Sequence, residues 1–399
     1  MGVSLLFRSS CRRVFPRFLS TTALITESSE TPLNISPLVK SLVKEQNKDV
    51  LVTRFNEISS ISAHFRCKGD IYLTIINRLI AAGRKDAIFK ILEAQKLTPG
   101  ITNEWFAQRI ISLYGKAKMA DEAESTFYQL PSLNCPRSVL SLNALLHAFN
   151  EAREYQRTVD ALNSIPLTKE CEEIVPDVYS YTVAIHAMCS MGDIEAAVEQ
   201  LGIMETKEVE PNVVTYCTIM SGYYRHGRTE DAEKIWERMM VKNCSPDVKC
   251  YNAKLRALCF VNRISEAEEL IKVMRNNGLK PDTFSYTCLI TGHCKAGTLE
   301  DANKVFEEMQ KRECQPNRAT FGALIPKLCE AGRFGQARRF CNDCIHRKVV
   351  LKKEILQAVA DGLAETDKVG ARQLVQFAWA SRMHSKETLK MPPSCDDDV

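Results

Sequence analysis

The chain has 399 residues, 53 Lys and Arg against 49 Asp and Glu for a formal charge of +4, with 45% hydrophobic and 26% charged residues. These are ordinary values for a folded chain with a substantial core. A mean hydropathy of −0.20, with no apolar run of roughly 18 residues, argues against a membrane-spanning helix, and no membrane partner is expected.

The charge is unevenly placed. Residues 1–26 hold Arg8, Arg12, Arg13 and Arg17 and no acid, Glu27 being the first carboxylate. Arginine and serine mixed with bulky apolar residues is the composition of an organellar transit peptide, and the arginines interrupt every stretch that could serve as the apolar centre of a secretory signal. Residues 1–30 are therefore expected to be a cleaved leader, cut somewhere in 17–30, and the arginine bias favours the mitochondrial matrix over the plastid. Loss of the four arginines leaves 49 basic against 49 acidic residues. The +4 is then an address, and the mature chain is expected to be close to neutral.

Residues 31–67 read as an N-terminal helical or linker segment. From 68 the sequence repeats. A degenerate unit spans 68–103, where NRLIAAGRKDAIFKILEAQ reads as a turn and a second helix, and 104–138 and 139–177 follow, the latter lengthened by four residues in KECEEI. Five further units begin at Val178, Val213, Val248, Thr283 and Arg318, each 35 residues after the last, ending at 352. Their fourth position is aromatic (Tyr181, Tyr216, Tyr251, Tyr286, Phe321) and their twentieth is alanine (Ala197, Ala232, Ala267, Ala302, Ala337). Position 27 holds Met204, Met239, Met274 and Met309, and a proline precedes the last residue of each step at Pro176, Pro211, Pro246, Pro281 and Pro316.

Within 213–247, Tyr216, Ile219, Met220 and Tyr223 share one helical face. Gly227 supplies a left-handed turn, Ala232, Ile235, Trp236 and Met239 line a second helix, and Ser245-Pro246 stops the chain. Two helices of about a dozen residues cannot bury their faces alone, so neighbouring hairpins must stack. The fold class is all-α, an α-solenoid forming one elongated domain. Residues 353–385 read as capping helices without the motif, as solenoid ends require, and the polar tail 386–399 is expected to be disordered.

The 35-residue period, the pattern V-x-T-Y-x-x-x-I…G-x-x-x-x-A…M…P-D/N and the leader together resemble the pentatricopeptide repeat family of organellar RNA-binding proteins, in its plain P class, over 68–352. The resemblance implies a right-handed superhelix whose first helices line a groove in which single-stranded RNA is read one nucleotide per repeat. It implies base recognition by the fifth and last residues of each unit: Asn143 with Asp177, Thr182 with Asn212, Cys217 with Asp247, Asn252 with Asp282 and Thr287 with Asn317. It also implies that Asn/Asp reads uracil and Thr/Asn adenine, hence U-A-x-U-A, with x open because Cys217 departs from the pattern. The second residue of each unit, Leu140, Tyr179, Val214, Lys249 and Phe284, would sandwich the base, Lys249 being unusual there. Arg225 and Lys295 at position 13 are the phosphate candidates. The outer pairs, Gln108 with Ser138 and Gly322 with Lys352, do not fit the code.

Other readings of the same residues are simple. Asp or Asn after Pro is a good helix N-cap. Cys189, Cys259, Cys294 and Cys329 recur at position 12, as buried packing residues do. Cys341 and Cys344 form the one C-x-x-C, at positions where other units place core residues. His147, His186, His226 and His293 sit singly in repeats and read as structural or solvent-facing. There is no H-x-E with P-C-x-x-C and no phosphate-binding G-x-x-x-x-G-K-[ST] loop. No catalytic residue, metal, cofactor or small-molecule substrate is therefore expected. The expected partner is single-stranded RNA, a mitochondrial transcript or rRNA. FAQRIISLYGKAKMADEA, CPRSVLSLNALLHAF and EKIWERM further resemble a short subgroup of the family associated with plant mitochondrial ribosomes. That adds ribosomal proteins as partners and a second expected role, a structural component of the small subunit.

Overall fold

The computed structural model describes residues 36–168, 171, 173–385 and 387–393; the expected leader 1–30 and the cleavage region 17–30 lie outside the described residues. Among those described there are twenty-one α-helices and no strand. Three short helices, α1 (Ser36–Lys44), α2 (Lys48–Ile61) and α3 (Ala63–Cys67), come first. Helical hairpins follow: α4 (Gly69–Ala81) with α5 (Lys85–Lys96), α6 (Glu104–Lys116) with α7 (Ala120–Gln129), and α8 (Val139–Ala152) with α9 (Tyr155–Ser164). The regular array comprises α10 (Val178–Met191) with α11 (Ile194–Thr206), α12 (Val213–Arg225) with α13 (Thr229–Val241), α14 (Val248–Phe260) with α15 (Ile264–Asn276), α16 (Thr283–Ala296) with α17 (Leu299–Lys311), and α18 (Arg318–Glu330) with α19 (Phe334–His346). The hairpin α20 (Lys353–Ala364) with α21 (Lys368–Ala380) closes the stack.

Each unit folds back twice because two of its residues take left-handed backbone. Position 15 ends the first helix, with φ from 57° at Lys118 to 91° at Gly192. Position 31 ends the second, and there the residue is Glu208, Asn243, Gly278, Glu313 or Lys348, with φ between 54° and 74°. Glycine takes this conformation without steric cost, and Gly192, Gly227, Gly297 and Gly332 supply it at the first turn. At the second turn most units place a residue that does not favour it.

The recurring residues make the core. Tyr216, Phe321, the five alanines at position 20 and the four methionines at position 27 have no exposed surface. Alanine at position 20 lets the second helix approach the first, and a buried methionine contributes about 1.5–3 kcal/mol. From α10 to α18, consecutive first helices pack directly on one another, whereas consecutive second helices touch little. The first helices therefore form an inner layer and the second helices an outer one. Across the outer layer arginines of one hairpin reach carboxylates of its neighbour: Arg157 with Asp121 (2.7 Å) and Glu124, Arg238 with Glu205 (2.7 Å), and likewise Arg228 with Glu195, Arg275 with Glu308 and Arg333 with Glu300. Exposed pairs of this kind contribute about 0.2–1 kcal/mol each.

Position-12 cysteines set the spacing of the inner layer. Cys189 and Cys259 are buried, and a Cβ on Gly222 or Gly292 would come within 3.0 Å of the Cys189 sulfur or 3.1 Å of the Cys259 sulfur. Cys341 and Cys344 lie wholly inside the core, where burial pushes both thiols up.

The tail differs from its expected disorder. Residues 387–393 lie against the cap: Leu389 is fully buried, Trp379 Nε1 donates to the Leu389 carbonyl at 3.0 Å, and the Lys390 amide donates to Gln357 Oε1 at 3.0 Å. A single leucine finds the apolar end face that the last hairpin leaves uncovered. Residues 394–399 lie outside the described residues.

Candidate nucleic-acid interface

Each first helix begins at the residue that closes the unit before it. Asp177, Asn212, Asp247, Asp282 and Asn317 hold extended backbone and cap α10, α12, α14, α16 and α18, each Oδ1 accepting an amide N–H two or three residues on. The cap satisfies N–H groups that the helix cannot, and it occupies one of the side chain's two terminal atoms. An amide nitrogen cannot accept, so the cap also decides which atom of the asparagines faces out. The second atom, Oδ2 or Nδ2, has no protein partner among the described residues. Folding thus leaves an open acceptor at Asp177, Asp247 and Asp282 and an open donor at Asn212 and Asn317.

The structure joins the fifth-position residues to these caps in three ways. Asn143 Nδ2 donates to Asp177 Oδ1 and Asn252 Nδ2 to Asp282 Oδ1, both at 3.1 Å. The hydroxyls of Ser180 and Ser285 complete these clusters, donating to the amide oxygens of Asn143 and Asn252 at 2.6 Å. Thr182 and Thr287 do not reach Asn212 and Asn317. Each donates to its own helix, at the carbonyls of Val178 and Thr283, and meets Thr215 or Thr320 at 2.8 Å. Those threonines bond in turn to the asparagine caps at 3.2 and 3.3 Å. In the unit beginning at Val213 these positions hold Cys217 and Cys250, the Cys250 thiol facing the Val213 carbonyl at 3.9 Å, and Asp247 serves only as a cap.

The common element is therefore the third residue of the following unit: Ser180, Thr215, Cys250, Ser285 or Thr320, each with no exposed surface. Sequence reasoning missed it, although a small polar residue or cysteine recurs there in register. The outer pair is built otherwise. Ser138 gives both its N–H (3.1 Å) and its hydroxyl (2.7 Å) to Glu104 Oε1, and Gln108 Nε2 is buried without a partner.

One turn before the fifth position, Leu140 and Val214 are 39% exposed and Phe284 37%, Tyr179 is half-buried and Lys249 exposed. Apolar side chains left half in water at one register offer surface to a stacked base. Of the position-13 residues, Arg225 is exposed and anchors Nη2 on the Cys189 carbonyl of the preceding first helix at 3.2 Å; the Lys295 ammonium lies 5.1 Å from the Phe260 ring centre.

Position nine adds a row that the single-histidine reading overlooked: His147, His186 and Arg256 on α8, α10 and α14. Burial, then Arg225, then His147 push the His186 imidazole down to about 4. Burial first, with Lys116 adding to it and Glu151 opposing, pushes His147 down. Burial and Arg225 also lower Arg256. Both imidazoles are thus neutral at pH 7, hydrogen-bonding groups within a band whose charge comes from the arginines.

Stacked helical hairpins with a helix cap and a small buried residue recurring at successive unit boundaries define a repeat solenoid. The matching family is that of pentatricopeptide repeats. The PPR repeat family model matches residues 176–225, 211–259, 246–295 and 281–330, the PPR repeat model matches 109–135, and the chain carries these repeats. Among curated relatives, Small ribosomal subunit protein mS78 (rPPR3a) of Arabidopsis thaliana is 36% identical over 195 residues, 48% of this chain and 48% of that protein. A pentatricopeptide repeat-containing mitochondrial protein of the same plant is 32% identical over 197 residues, 49% and 47% of the two chains. The chain spans about half the length of the curated relatives it matches. Among solved structures, the pentatricopeptide repeat protein PPR10 from maize aligns with a TM-score of 0.47 at 15% identity, over 88% of this chain and 59% of that one.

Proposed function

We propose that the chain is a non-catalytic, single-stranded-RNA-binding protein of the mitochondrial matrix, acting in organellar RNA metabolism or translation through base-selective contacts along its first helices. The observation that carries this reading is the row of caps, each with one polar atom left open at a regular step. Uracil presents an N3–H donor on its Watson–Crick edge, which matches the open carboxylate oxygen of Asp177 and Asp282. Adenine presents the N1 acceptor, which matches the open amide N–H of Asn212 and Asn317. Side-chain complementarity is thus compatible with the U-A-x-U-A order that the family resemblance implies. Leu140, Tyr179, Val214 and Phe284 flank the bases, and Arg225, Arg256 and Lys295 sit beside the backbone path. Relatives named as mitochondrial support the location.

Gel-shift titration of oligonucleotides tests the reading. A UAxUA-containing strand binds about tenfold or more tighter than its permuted counterpart, since each mismatch costs roughly 1–3 kcal/mol. Equal affinity for both overturns base reading. The salt slope should be shallow, because few phosphates are neutralised.

A second reading has its own support: 36% identity to a protein named as part of the small ribosomal subunit. In it the chain is a structural component of the mitochondrial small subunit, held by rRNA and ribosomal proteins. Sedimentation of an organelle lysate in high salt separates the two. Migration with the small subunit favours the structural role, and migration as a free protein the first reading.

A further inference from the structure

We propose that the turn joining α15 to α16 forms a phosphate-binding site, a recess on the outer-layer side of the array that takes a phosphate group of an RNA backbone or a free phosphate. The site does not depend on base reading by the first helices.

The recess has a volume of about 290 Å³ and lies where α15 and α17 end beside the start of α16. Among its lining residues Arg275, Lys280 and Arg312 are cationic and none is anionic. Arg275 is fixed in place, because Nη2 donates to the Tyr286 hydroxyl at 2.9 Å and pairs with Glu308. Arg312 Nε stands 4.0 Å from the same carboxylate with its side chain 58% exposed, and Lys280 is exposed. Three positive groups thus gather around one negative one. The excess suits a phosphate, which carries one negative charge as a diester and about −1.5 to −2 as a monoester. A guanidinium held at a fixed angle presents its fork of donors to such oxygens, and a lysine adds a point charge.

The charge belongs to this turn and not to the architecture. The same register at the turn between the units beginning at Val178 and Val213 holds Glu205, Glu208, Glu210 and Lys242. The next turn holds Met240, Asn243, Ser245 and Asn277, and the last Gln310, Glu313, Gln315 and Arg347. Only between α15 and α16 do these positions read Arg275, Gly278, Lys280 and Arg312. Cations at helix ends complement the helix dipole, which is reason enough for Arg275 in the last turn of α15 and Arg312 at the end of α17. Lys280 lies beyond the helix, so the dipole gives no reason for it. Gly278, with φ of 74°, keeps the wall open where other turns carry a side chain: a Cβ there would meet no atom within 4 Å.

The recess is also separate from the base path. It is lined by Tyr286, the core-facing fourth residue of its unit, and not by Asn252, Phe284 or Thr287. A phosphate bound here is held behind the row of caps, so the chain has a second nucleic-acid contact that carries no sequence preference.

The test uses the full chain, Lys280→Glu and Gly278→Glu, with Lys280→Arg as the conservative control. Gly278→Glu places the residue already present at Glu208 and Glu313 with φ of 59°, so the turn can accept it. The first probe is a mixed-sequence RNA duplex, which offers phosphates while its base edges are paired. Each glutamate variant should weaken duplex binding about fivefold or more and lower the slope of log affinity against log salt by about one, while Lys280→Arg holds both. That result assigns the site to an RNA backbone. The second probe is inorganic phosphate against chloride at equal ionic strength. A melting temperature raised by about 2 °C or more in the wild type and not in the glutamate variants, with duplex binding equal in all, assigns it to a free phosphate. If neither probe separates the wild type from the glutamate variants, the site is overturned. The UAxUA-containing strand keeps its advantage over the permuted strand in every variant if the recess and the base path are separate, and loss of that advantage in Lys280→Glu overturns the separation. A chain that never prefers the UAxUA-containing strand but loses duplex binding in Lys280→Glu supports the recess and sinks base reading.

Discussion

The N-terminal hairpins and the regular array use the same two-helix unit for different ends. Around α6 and α8 the backbones nearly touch, a Cβ on Gly115 falling 2.3 Å from the Ala148 Cα. Several polar groups of the N-terminal hairpins are consumed internally. Tyr72 donates to Gln95 Oε1 at 2.7 Å, Gln95 to Ser59 at 2.9 Å, and the boundary residue Ser138 is spent on Glu104. From α10 to α18 the spacing is wider, held by glycine against cysteine, and each boundary cap keeps one atom open. A continuous core runs from Leu42 to Met204 at the N-terminal end, whereas the cluster between Ile185 and Ala257 is smaller. Inner-layer spacing thus separates the two roles: closed boundaries make a packed block, and open ones make a surface that can recognise something.

Breaking the backbone contact between α6 and α8 should have the largest effect. Gly115→Ala drives a methyl into backbone that cannot yield and should cost about 3 kcal/mol, the upper range for overpacking. Gly222→Ala, facing a sulfur at 3.0 Å, should cost about 1 kcal/mol. Urea denaturation measures both, and equal losses would erase the distinction between the two spacings.

Acid tests the wider region next. The His186 imidazole is held down to about 4 by burial, Arg225 and His147, so between that value and its ordinary 6.5 the unfolded chain binds the extra proton. Stability from this group is fully present above 6.5 and is lost as pH falls towards 4, by about 2–3 kcal/mol. His186→Gln should flatten that part of the stability profile. A variant profile parallel to wild type would show that His186 does not titrate there.

Asp282→Asn sharpens the comparison at a single atom. Asparagine caps as well as aspartate, so stability should stay within about 0.5 kcal/mol. The outward atom changes from acceptor to donor, and the preference for uracil at that unit should vanish in the gel-shift assay. Asp282→Ala removes the cap as well and should cost about 1 kcal/mol. An unchanged uracil preference in Asp282→Asn would reduce the residue to a cap.

Most of the fold is legible because packing repeats in register. Tyr181, Ala197 and Met204 and their counterparts every 35 residues are buried where a stacked hairpin needs them. The second left-handed turn is not legible in most units, since Glu208, Glu313 and Lys348 carry no sign of it and tertiary packing imposes the conformation. Leu389 is hidden for a related reason, one apolar residue in a polar tail whose partner surface exists only once the cap has folded. At the interface, the caps and fifth positions could be read because their chemistry is uniform. The third position was obscured by alternating Ser, Thr and Cys, which share size and buried hydrogen bonding rather than a name. His147 and His186 read as structural or solvent-facing when each is taken singly, although both stand at position nine, as Arg256 does.

The smallest expected effect lies in the outer halves of two equivalent tyrosines. Tyr286 accepts a hydrogen bond from Arg275 Nη2 at 2.9 Å, and Tyr251 from Asn277 Nδ2 at 2.8 Å, while the Tyr216 hydroxyl is buried without a partner. Deleting a satisfied hydroxyl costs about 1 kcal/mol, and deleting an unsatisfied one removes a desolvation penalty. Tyr286→Phe should therefore destabilise, moderated because Arg275 keeps its ion pair with Glu308. Tyr216→Phe should be neutral or gain a few tenths of a kcal/mol. Paired urea melts decide it: if both variants lose the same stability, the Tyr216 hydroxyl is bonded after all, and the smaller cluster between Ile185 and Ala257 is no less well satisfied than its neighbours.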